Sequence, residues 1–402
     1  MRRGDWIRAP EGLEPIPGGS VTTTPGVRAS GVACGLKPSG ALDLGLLLTT
    51  APGPSALVDT ASALPSAPVR RNRGIDRSRL RAVLVNAGSA NAATGSPGLE
   101  DAHEMARRAA AGLGLSPEEV AVCSTGTIGD RIDLGIAGAG IDAAVAALAD
   151  DGGADFGRAI CTTDRAPKGG AFRLRLPSGR EVVIGAAAKG AGMISPGMAT
   201  MLAYLTTDAP LEPAGLQQMT GAAAAASFNR ISVDGQMSPS DTLIVLAGAG
   251  AEPLAGADRD RFAEALAAVC RWLAIQIVRD GEGAEHAVRV LVRGARDPEE
   301  AERVARAVGD SPLVKTAVFG RDPNWGRVSQ AVGAALVGRP GPVPEPDMRV
   351  DGIPYGAPEA AEVLARDEYD LEVVLGRGDA GAELWASDLT HGYVTINAEY
   401  HT

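Results

Sequence analysis

A sandwich of layered β-sheets covered by helices, an α/β architecture, is the fold the sequence predicts. Three observations carry this expectation. Strands, a helix, more strands and another helix follow one another in both halves of the chain, the order that layered mixed folds require. No segment of about 20–50 residues repeats, which sets solenoids and propellers aside. With 402 residues, 45% of them apolar and 52 of them glycine, the chain can bury one large layered core or two lobes and is not disordered.

The elements justify this in turn. To about Gly26 the chain is a loose Gly/Pro-rich stretch. Gly31–Gly35 and Leu44–Leu48 read as short buried strands around a turn at Pro38-Ser39-Gly40. Leu80–Val85 is a clearer strand that runs into the Asn- and Gly-rich loop Asn86–Gly95, and Glu100–Ala111 is helix-like. Ser116-Pro117-Glu118-Glu119 has the residues of a helix start. The strand Val120–Cys123 then delivers Ser124-Thr125-Gly126. A hydroxyl residue followed by glycine at a strand end lets backbone N–H groups face a ligand oxygen, as in an oxyanion hole. Gly138-Ala139-Gly140 completes no dinucleotide fingerprint and reads as helix packing.

Cys161-Thr162-Thr163-Asp164 precedes a hairpin in which Phe172, Leu174 and Leu176 alternate, Pro177-Ser178-Gly179 turns and Val182–Ile184 returns. Pro213–Ala226 is helical, and Leu243–Ala247 is a buried strand. The best helix is Asp258–Arg279, with Phe262, Leu266, Val269, Leu273 and Ile277 in one stripe. It stops at Asp280-Gly281-Glu282-Gly283; Val288, Val290 and Val292 alternate as a strand, and Asp297-Pro298-Glu299-Glu300 caps a further helix. Asp322–Arg327 reads as a rigid structural turn. The tail from Asp388 to Thr402 alternates like a strand, and its pattern predicts a docked end.

The hairpin feeds the stretch around which the chain is organised, Lys189–Leu202. A Gly- and Pro-kinked loop leads into Ala199-Thr200 and then into an apolar run. The hydroxyl of a threonine placed there can attack the preceding carbonyl, turn the peptide into an ester and let water release two chains. The second chain then starts at Thr200 with an α-amine of reference pKa about 7.7–8.0, a base beside its own nucleophile. An Ala-Thr pair alone is common, and a plain loop is its ordinary reading. Lys189 could hold a carboxylate, although an isolated lysine is more often on the surface. Glu282, between two glycines, is a candidate binding carboxylate or a solvated turn residue.

Charge and cysteine usage narrow the function. The balance of 38 − 49 = −11 argues against nucleic acid and anionic membranes as partners. Cys34, Cys123, Cys161 and Cys270 form no Cys-x-x-Cys pair, and the four histidines show no ligand spacing, so no metal site is expected. The N-terminus lacks an apolar core for a secretory signal, and no run approaches the ~18 apolar residues of a membrane span. A cytoplasmic protein is expected.

Together these residues resemble the ornithine acetyltransferase family, also called glutamate N-acetyltransferase, of the cyclic arginine pathway. The resemblance runs from about Gly26 to Thr402. It rests on Asn86–Gly95, Cys123–Gly126, Thr162–Asp164, Lys189–Asp208, Ser227–Gly235, Asp280–Gly283, Lys315–Arg327 and Asn397–Tyr400. It implies an Ntn-like self-processing sandwich of the ornithine acetyltransferase/β-aminopeptidase type. The precursor would cut itself between Ala199 and Thr200 into an α chain, 1–199, and a β chain, 200–402, that stay together as an α2β2 heterotetramer. Residues from about 285 to 402 would form a smaller lobe.

By the same resemblance Thr200 carries the acetyl group as an ester in a ping-pong cycle, and Thr125 and Gly126 match the oxyanion pair. Thr163, Lys189, Glu282, Asn397 and Thr402 match substrate-contacting positions. The implied donor is N-acetyl-ornithine and the acceptor glutamate, with acetyl-CoA as a further candidate donor and no cofactor or metal. Several segments depart from the family's pattern: Ala56–Thr60, Ser195 and Gly197, Gln236–Thr242, and Glu285-His286. These leave open the acyl donor and acceptor, and whether the pathway is primary or specialised. A hydrolase of similar architecture and an uncut, non-catalytic homologue are the alternatives.

Overall fold

The computed structural model describes Trp6 and residues 12–195, 201–248, 250 and 252–399. Two sheets lie face to face. The first contains β1 (Leu13–Pro15), β4 (Ser55–Asp59), β7 (Lys168–Arg175), β8 (Glu181–Lys189), β9 (Leu202–Thr207) and β11 (Thr242–Ala247), in the order β1-β7-β8-β9-β11-β4. The second runs β2-β3-β5-β6, from Val27–Val32, Leu44–Thr49, Ala82–Asn86 and Val120–Ser124. Leu57, Ala187, Tyr204 and Ile244 of the first meet Leu47, Val83, Val85 and Ala121 of the second in one buried layer. Both faces of the central strands are covered, which is why β9 and β11 read as continuous apolar runs with every residue buried.

Helices close the outer faces. On the second sheet lie α2 (Gly95–Leu113) and α3 (Leu134–Ala146), joined to it through Leu84, Val122, Met105 and Ile141. On the first lie α5 (Pro213–Ala225) and α6 (Gly256–Arg279). The α6 stripe of Phe262, Leu266, Val269, Leu273 and Ile277 is fully buried there, as its spacing predicts. Shorter helices, α1 (Ala67–Arg73) and α4 (Gly153–Ala159), pack beside the second sheet. The outcome is the helix-covered sandwich that the order of elements predicts.

A third sheet has its own core. Its order is β10-β16-β12-β15-β13-β14, from Ile231–Ser232, Ala380–Ser387, Ala287–Ala295, Glu368–Val374, Asp347–Val350 and Ile353–Pro354. Packed with it are α7 (Pro298–Gly309), α8 (Pro312–Phe319), α9 (Trp325–Ala335) and α10 (Ala360–Leu364). Asp297 caps α7 by accepting the Glu300 amide at 2.8 Å, and the Asn324 side chain accepts the Arg327 amide at the start of α9.

Two local expectations need correction. Ser116–Glu119 does not open an α-helix: it is a single 3-10 turn, Pro117–Glu119, leading straight into β6. The residues that cap a helix also suit one isolated turn, and the β-branched run that follows is claimed by the sheet. The tail is not a strand but a helix, α11 (His391–Glu399). Thr390 Oγ1 accepts the Tyr393 amide at 3.1 Å and so caps the first turn. None of the nine α11 residues is buried. Its β-branched residues thus meet no sheet, and side-chain bonds to the body of the protein hold the helix in place.

Candidate active site

The ends of several elements meet at one cleft. Its walls include Thr125, Gly126, Thr162, Thr163, Lys189, Gly192, Glu282 and Asn397, with Ser238, Pro239 and Ser240 on another side. The structure therefore brings together Thr125, Gly126, Thr163, Lys189, Glu282 and Asn397, residues far apart in the chain. Ala199, Thr200 and Thr402 lie outside the described residues.

The Thr125-Gly126 wall is built by the parallel pair β5 and β6. Asn86 at the end of β5 donates to Ser124 Oγ at 2.6 Å and accepts the Gly88 and Ser89 amides at 3.2 and 3.0 Å. Thr125 N–H bonds the Asn86 carbonyl at 3.0 Å. The two strand-end loops thus brace each other. Gly126 has φ +125°, and a Cβ there would stand 2.5 Å from the carbonyl carbon and oxygen of Gly88. Only glycine fits this turn.

Lys189, the last residue of β8, is buried and not on the surface. Its Nζ donates to Thr162 Oγ1 at 2.7 Å and to Thr125 Oγ1 at 3.1 Å. Burial pulls its pKa below the ordinary lysine value, although Asp164 opposes that shift. The Asp164 side chain is itself buried. Desolvation raises its pKa, but the charges of Lys189 and Lys168 and the Gly190 amide outweigh this and hold its carboxyl at about 2. Lys168 bridges Asp164 at 2.6 Å and Asp280 at 2.5 Å. Behind Lys189, Asp164 and Lys168 thus form a buried ion pair that the less buried Asp280 extends.

Glu282 sits in the turn after α6, and both its oxygens are engaged. Oε1 accepts Thr163 Oγ1 at 2.6 Å, and Oε2 accepts Asn397 Nδ2 at 2.7 Å. The turn is fixed by the Glu282 amide on the Ala191 carbonyl at 2.8 Å. A Cβ on Gly192 would lie 2.3 Å from the Glu282 carboxylate, so a larger residue there would displace that side chain from its present position. A carboxylate has lone pairs beyond these two bonds and can still receive a ligand ammonium. A buried cation, a ready carboxylate and a glycine turn at a strand end together suit a zwitterionic ligand with a reacting carbonyl.

Sequence reasoning assigned no role to Thr162, Asp164, Lys168 or Asp280. Thr162 and Asp164 flank Thr163 and fall within a motif already singled out. Lys168 and Asp280 give no local signal, because their ion pair joins residues more than a hundred positions apart. Among the described residues no three His, Cys, Asp or Glu side chains gather as a metal site, and no helix is long and apolar enough to cross a membrane.

Behind Glu282, a second buried group holds the turn. Asp388 accepts the Glu285 amide at 3.1 Å and pairs with His286 at 2.8 Å. Nearby, Lys315 Nζ donates to the Ser387 carbonyl. Burial lowers the Lys315 pKa from 10.5 to about 8, against the pull of Asp310 and Asp388. The unfolded chain therefore binds more protons than the native one between about pH 8 and 10.5, so this residue makes stability rise with pH across that window. Lys315→Met is expected to flatten that rise, as read from urea midpoints at pH 7.5, 9 and 10 for both proteins.

Residues 28–402 match the ArgJ family. The arginine biosynthesis bifunctional protein ArgJ of Symbiobacterium thermophilum is 45% identical over 398 residues, 96% of this chain and 99% of its own. The protein of the same name from Synechocystis sp. is 40% identical over 411 residues, 96% and 98% of the two chains. Among solved structures, ornithine acetyltransferase complexed with ornithine from Mycobacterium tuberculosis is 37% identical, with a TM-score of 0.43. That match covers 47% of this chain and 100% of the solved one.

Proposed function

Because this chain belongs to the ArgJ family, we propose that it is a self-cleaving acyltransferase of arginine biosynthesis that moves acetyl from N-acetyl-ornithine to glutamate through Thr200. The observation that carries this reading is the convergence of Thr125-Gly126, buried Lys189 and Glu282 on one cleft. The loop leading to Thr200 begins at its rim with Gly192 and Met193.

In the maturation step the Thr200 hydroxyl oxygen attacks the Ala199 carbonyl carbon. The C–N bond breaks, the nitrogen takes the hydroxyl proton, and an ester joins the two residues. Water then cleaves the ester, leaving a carboxylate on Ala199 and a free hydroxyl and α-amine on Thr200. The products are chains 1–199 and 200–402, which remain associated in an α2β2 assembly in the cytoplasm, with residues from about 285 onward as the smaller lobe.

In turnover the α-amine takes the hydroxyl proton as Oγ attacks the acetyl carbonyl. The Thr125-Gly126 wall receives the negative oxygen. The C–N bond of the donor breaks, its nitrogen takes the proton, and ornithine leaves an acetyl ester on Thr200. The glutamate amine attacks that ester, N-acetylglutamate departs, and Thr200 regains its proton. Lys189 faces the substrate α-carboxylate. Glu282, held by Thr163 and Asn397, faces the ornithine side-chain ammonium, and Thr402 completes the pocket.

Ornithine release from N-acetyl-ornithine, followed with and without glutamate, tests this reading. Glutamate should speed release and appear as N-acetylglutamate. Release at the same rate, with free acetate as product, would make the protein a hydrolase instead; acetyl-CoA in place of the donor decides whether it too is accepted. Glu282→Gln removes the charge and keeps the shape. Charged hydrogen bonds contribute about 1.5–3 kcal/mol, so its KM for N-acetyl-ornithine is expected to rise roughly 10- to 100-fold with kcat little changed. Steady-state kinetics on the cut protein checks this.

A further inference from the structure

Two acidic side chains grip the chain on either side of residues 196–200. Upstream, Asp234 Oδ2 accepts the Met193 amide at 2.6 Å and Oδ1 accepts the Ile194 amide at 2.9 Å. Met193 stands at φ +56°, a left-handed conformation that a side-chain-bearing residue keeps only when its surroundings impose it. The Ile194 carbonyl in turn accepts the Val233 amide at 2.9 Å. Tyr393 of α11 reaches the same carboxylate, donating to Oδ2 at 3.4 Å.

Downstream, Asp241 Oδ1 accepts the Met201 amide at 2.9 Å, and the Thr242 amide bonds the Met201 carbonyl at 3.1 Å. This follows from the register: β11 runs parallel to β9 with Thr242 opposite Leu202, which puts Asp241 beside the residue before. Asp241 is fully buried, and its Oδ2 has no hydrogen bond among the described residues. Burial pushes its carboxyl well above the usual range.

The span between the two acids is tied to the segment that follows β4. Thr60 donates its hydroxyl to the Ser238 carbonyl at 2.7 Å and its amide to the Asp241 carbonyl at 3.0 Å. The Ser66 amide bonds the Pro239 carbonyl at 2.8 Å. A segment so fastened can hold two points of another segment at a set distance.

We infer that residues 234–241 are a two-point clamp on the self-cleaving segment, with Asp234 and Asp241 as positioning residues of different duration. Asp234 orients the chain upstream of the bond to be cut. Asp241 orients Thr200 through the Met201 amide, to which Thr200 is covalently joined. Once the bond is cut, the upstream grip no longer bears on Thr200, whereas the downstream grip still does. Asp234 therefore acts on Thr200 during maturation alone, and Asp241 during both maturation and turnover. This rests on the proposal that Thr200 is the nucleophile.

The same substitution separates the two acids. In Asp234→Asn either orientation of the amide turns an NH2 group toward a backbone N–H, because both oxygens accept one. In Asp241→Asn the oxygen can stay on Met201 while the NH2 takes the place of the oxygen that has no partner. A misplacement of about 1 Å at a reacting group can cost about 100-fold in rate.

The experiment follows chain cutting by intact mass and then kcat and KM of the cut material, for wild type, Asp234→Asn, Asp241→Asn and Asp241→Ala. Asp234→Asn is expected to cut about 10- to 100-fold more slowly, yet its cut fraction should keep kcat within about threefold of wild type. Asp241→Asn should match wild type in both, and Asp241→Ala should lose both cutting rate and kcat with KM little moved. If Asp234→Asn proves unfolded, Asp234→Glu takes its place with the same expectation. Wild-type cutting in an Asp234 variant, a kcat loss in its cut chains as large as its cutting defect, or Asp241→Asn as impaired as Asp241→Ala would overturn the clamp. Uncut wild type would instead remove the nucleophile assignment itself.

Discussion

Thr200→Ala is expected to emerge as one 402-residue chain, with acetyl transfer down by about 10⁴-fold or more. One substitution deletes two things. Without the hydroxyl no ester can form at the Ala199 carbonyl, so the precursor stays whole. Without the cut there is no α-amine at residue 200 to act as base. Thr200→Ser keeps an oxygen and should still divide, giving the chain pair at a different rate. Intact mass on both proteins reads the first effect, and release of ornithine from N-acetyl-ornithine reads the second. Division of the Ala variant at the same bond would remove Thr200 from the mechanism.

Gly126→Ala carries the next largest expected effect, a fall in kcat of about 10²–10³-fold with KM nearly unchanged. The new methyl group would press on the Gly88 carbonyl, and the backbone would have to hold φ +125° against its own Cβ. The turn must shift, and with it the amides that, on the proposed mechanism, would face the developing oxyanion. A bound substrate in its ground state needs these donors less, which is why kcat should suffer and KM should not. A variant with equal losses in affinity and rate would instead assign Gly126 to general packing. Cutting of the precursor, which on the same proposal would pass through a similar charged oxygen, is expected to slow in parallel.

The sequence made some parts of this molecule legible and hid others for physical reasons. The α6 helix showed itself because one face is buried along its whole length, and the β7–β8 hairpin because its strands alternate around Pro177-Ser178-Gly179. The tail did not. A helix with no buried face writes no 3.6-residue period into its side chains, and Val394, Thr395 and Ile396 favour a strand when read alone. At the site, Gly126 could be read from its place after a strand. Lys189 could be named but not placed, because the Thr162 and Asp164 that surround it lie across a hairpin. Asp234 and Asp241 gave no signal of their own, since their partners are backbone amides whose identity the side-chain pattern does not record.

The first sheet has one further consequence for the divided protein. A cut after residue 199 would leave β1, β7, β8 and β4 with one polypeptide, and β9 and β11, which lie between β8 and β4, with the other. One product would hold a pair of strands inserted between strands of the other. The intact precursor can find this arrangement as a first-order process, with the order of its strands fixed by its own connectivity. The divided protein would have to find it by encounter of two incomplete halves, each missing the neighbours its central strands need. Maturation would thus convert a refoldable chain into one that persists because it opens slowly, and dilution after denaturation should restore the Thr200→Ala chain but not the processed pair.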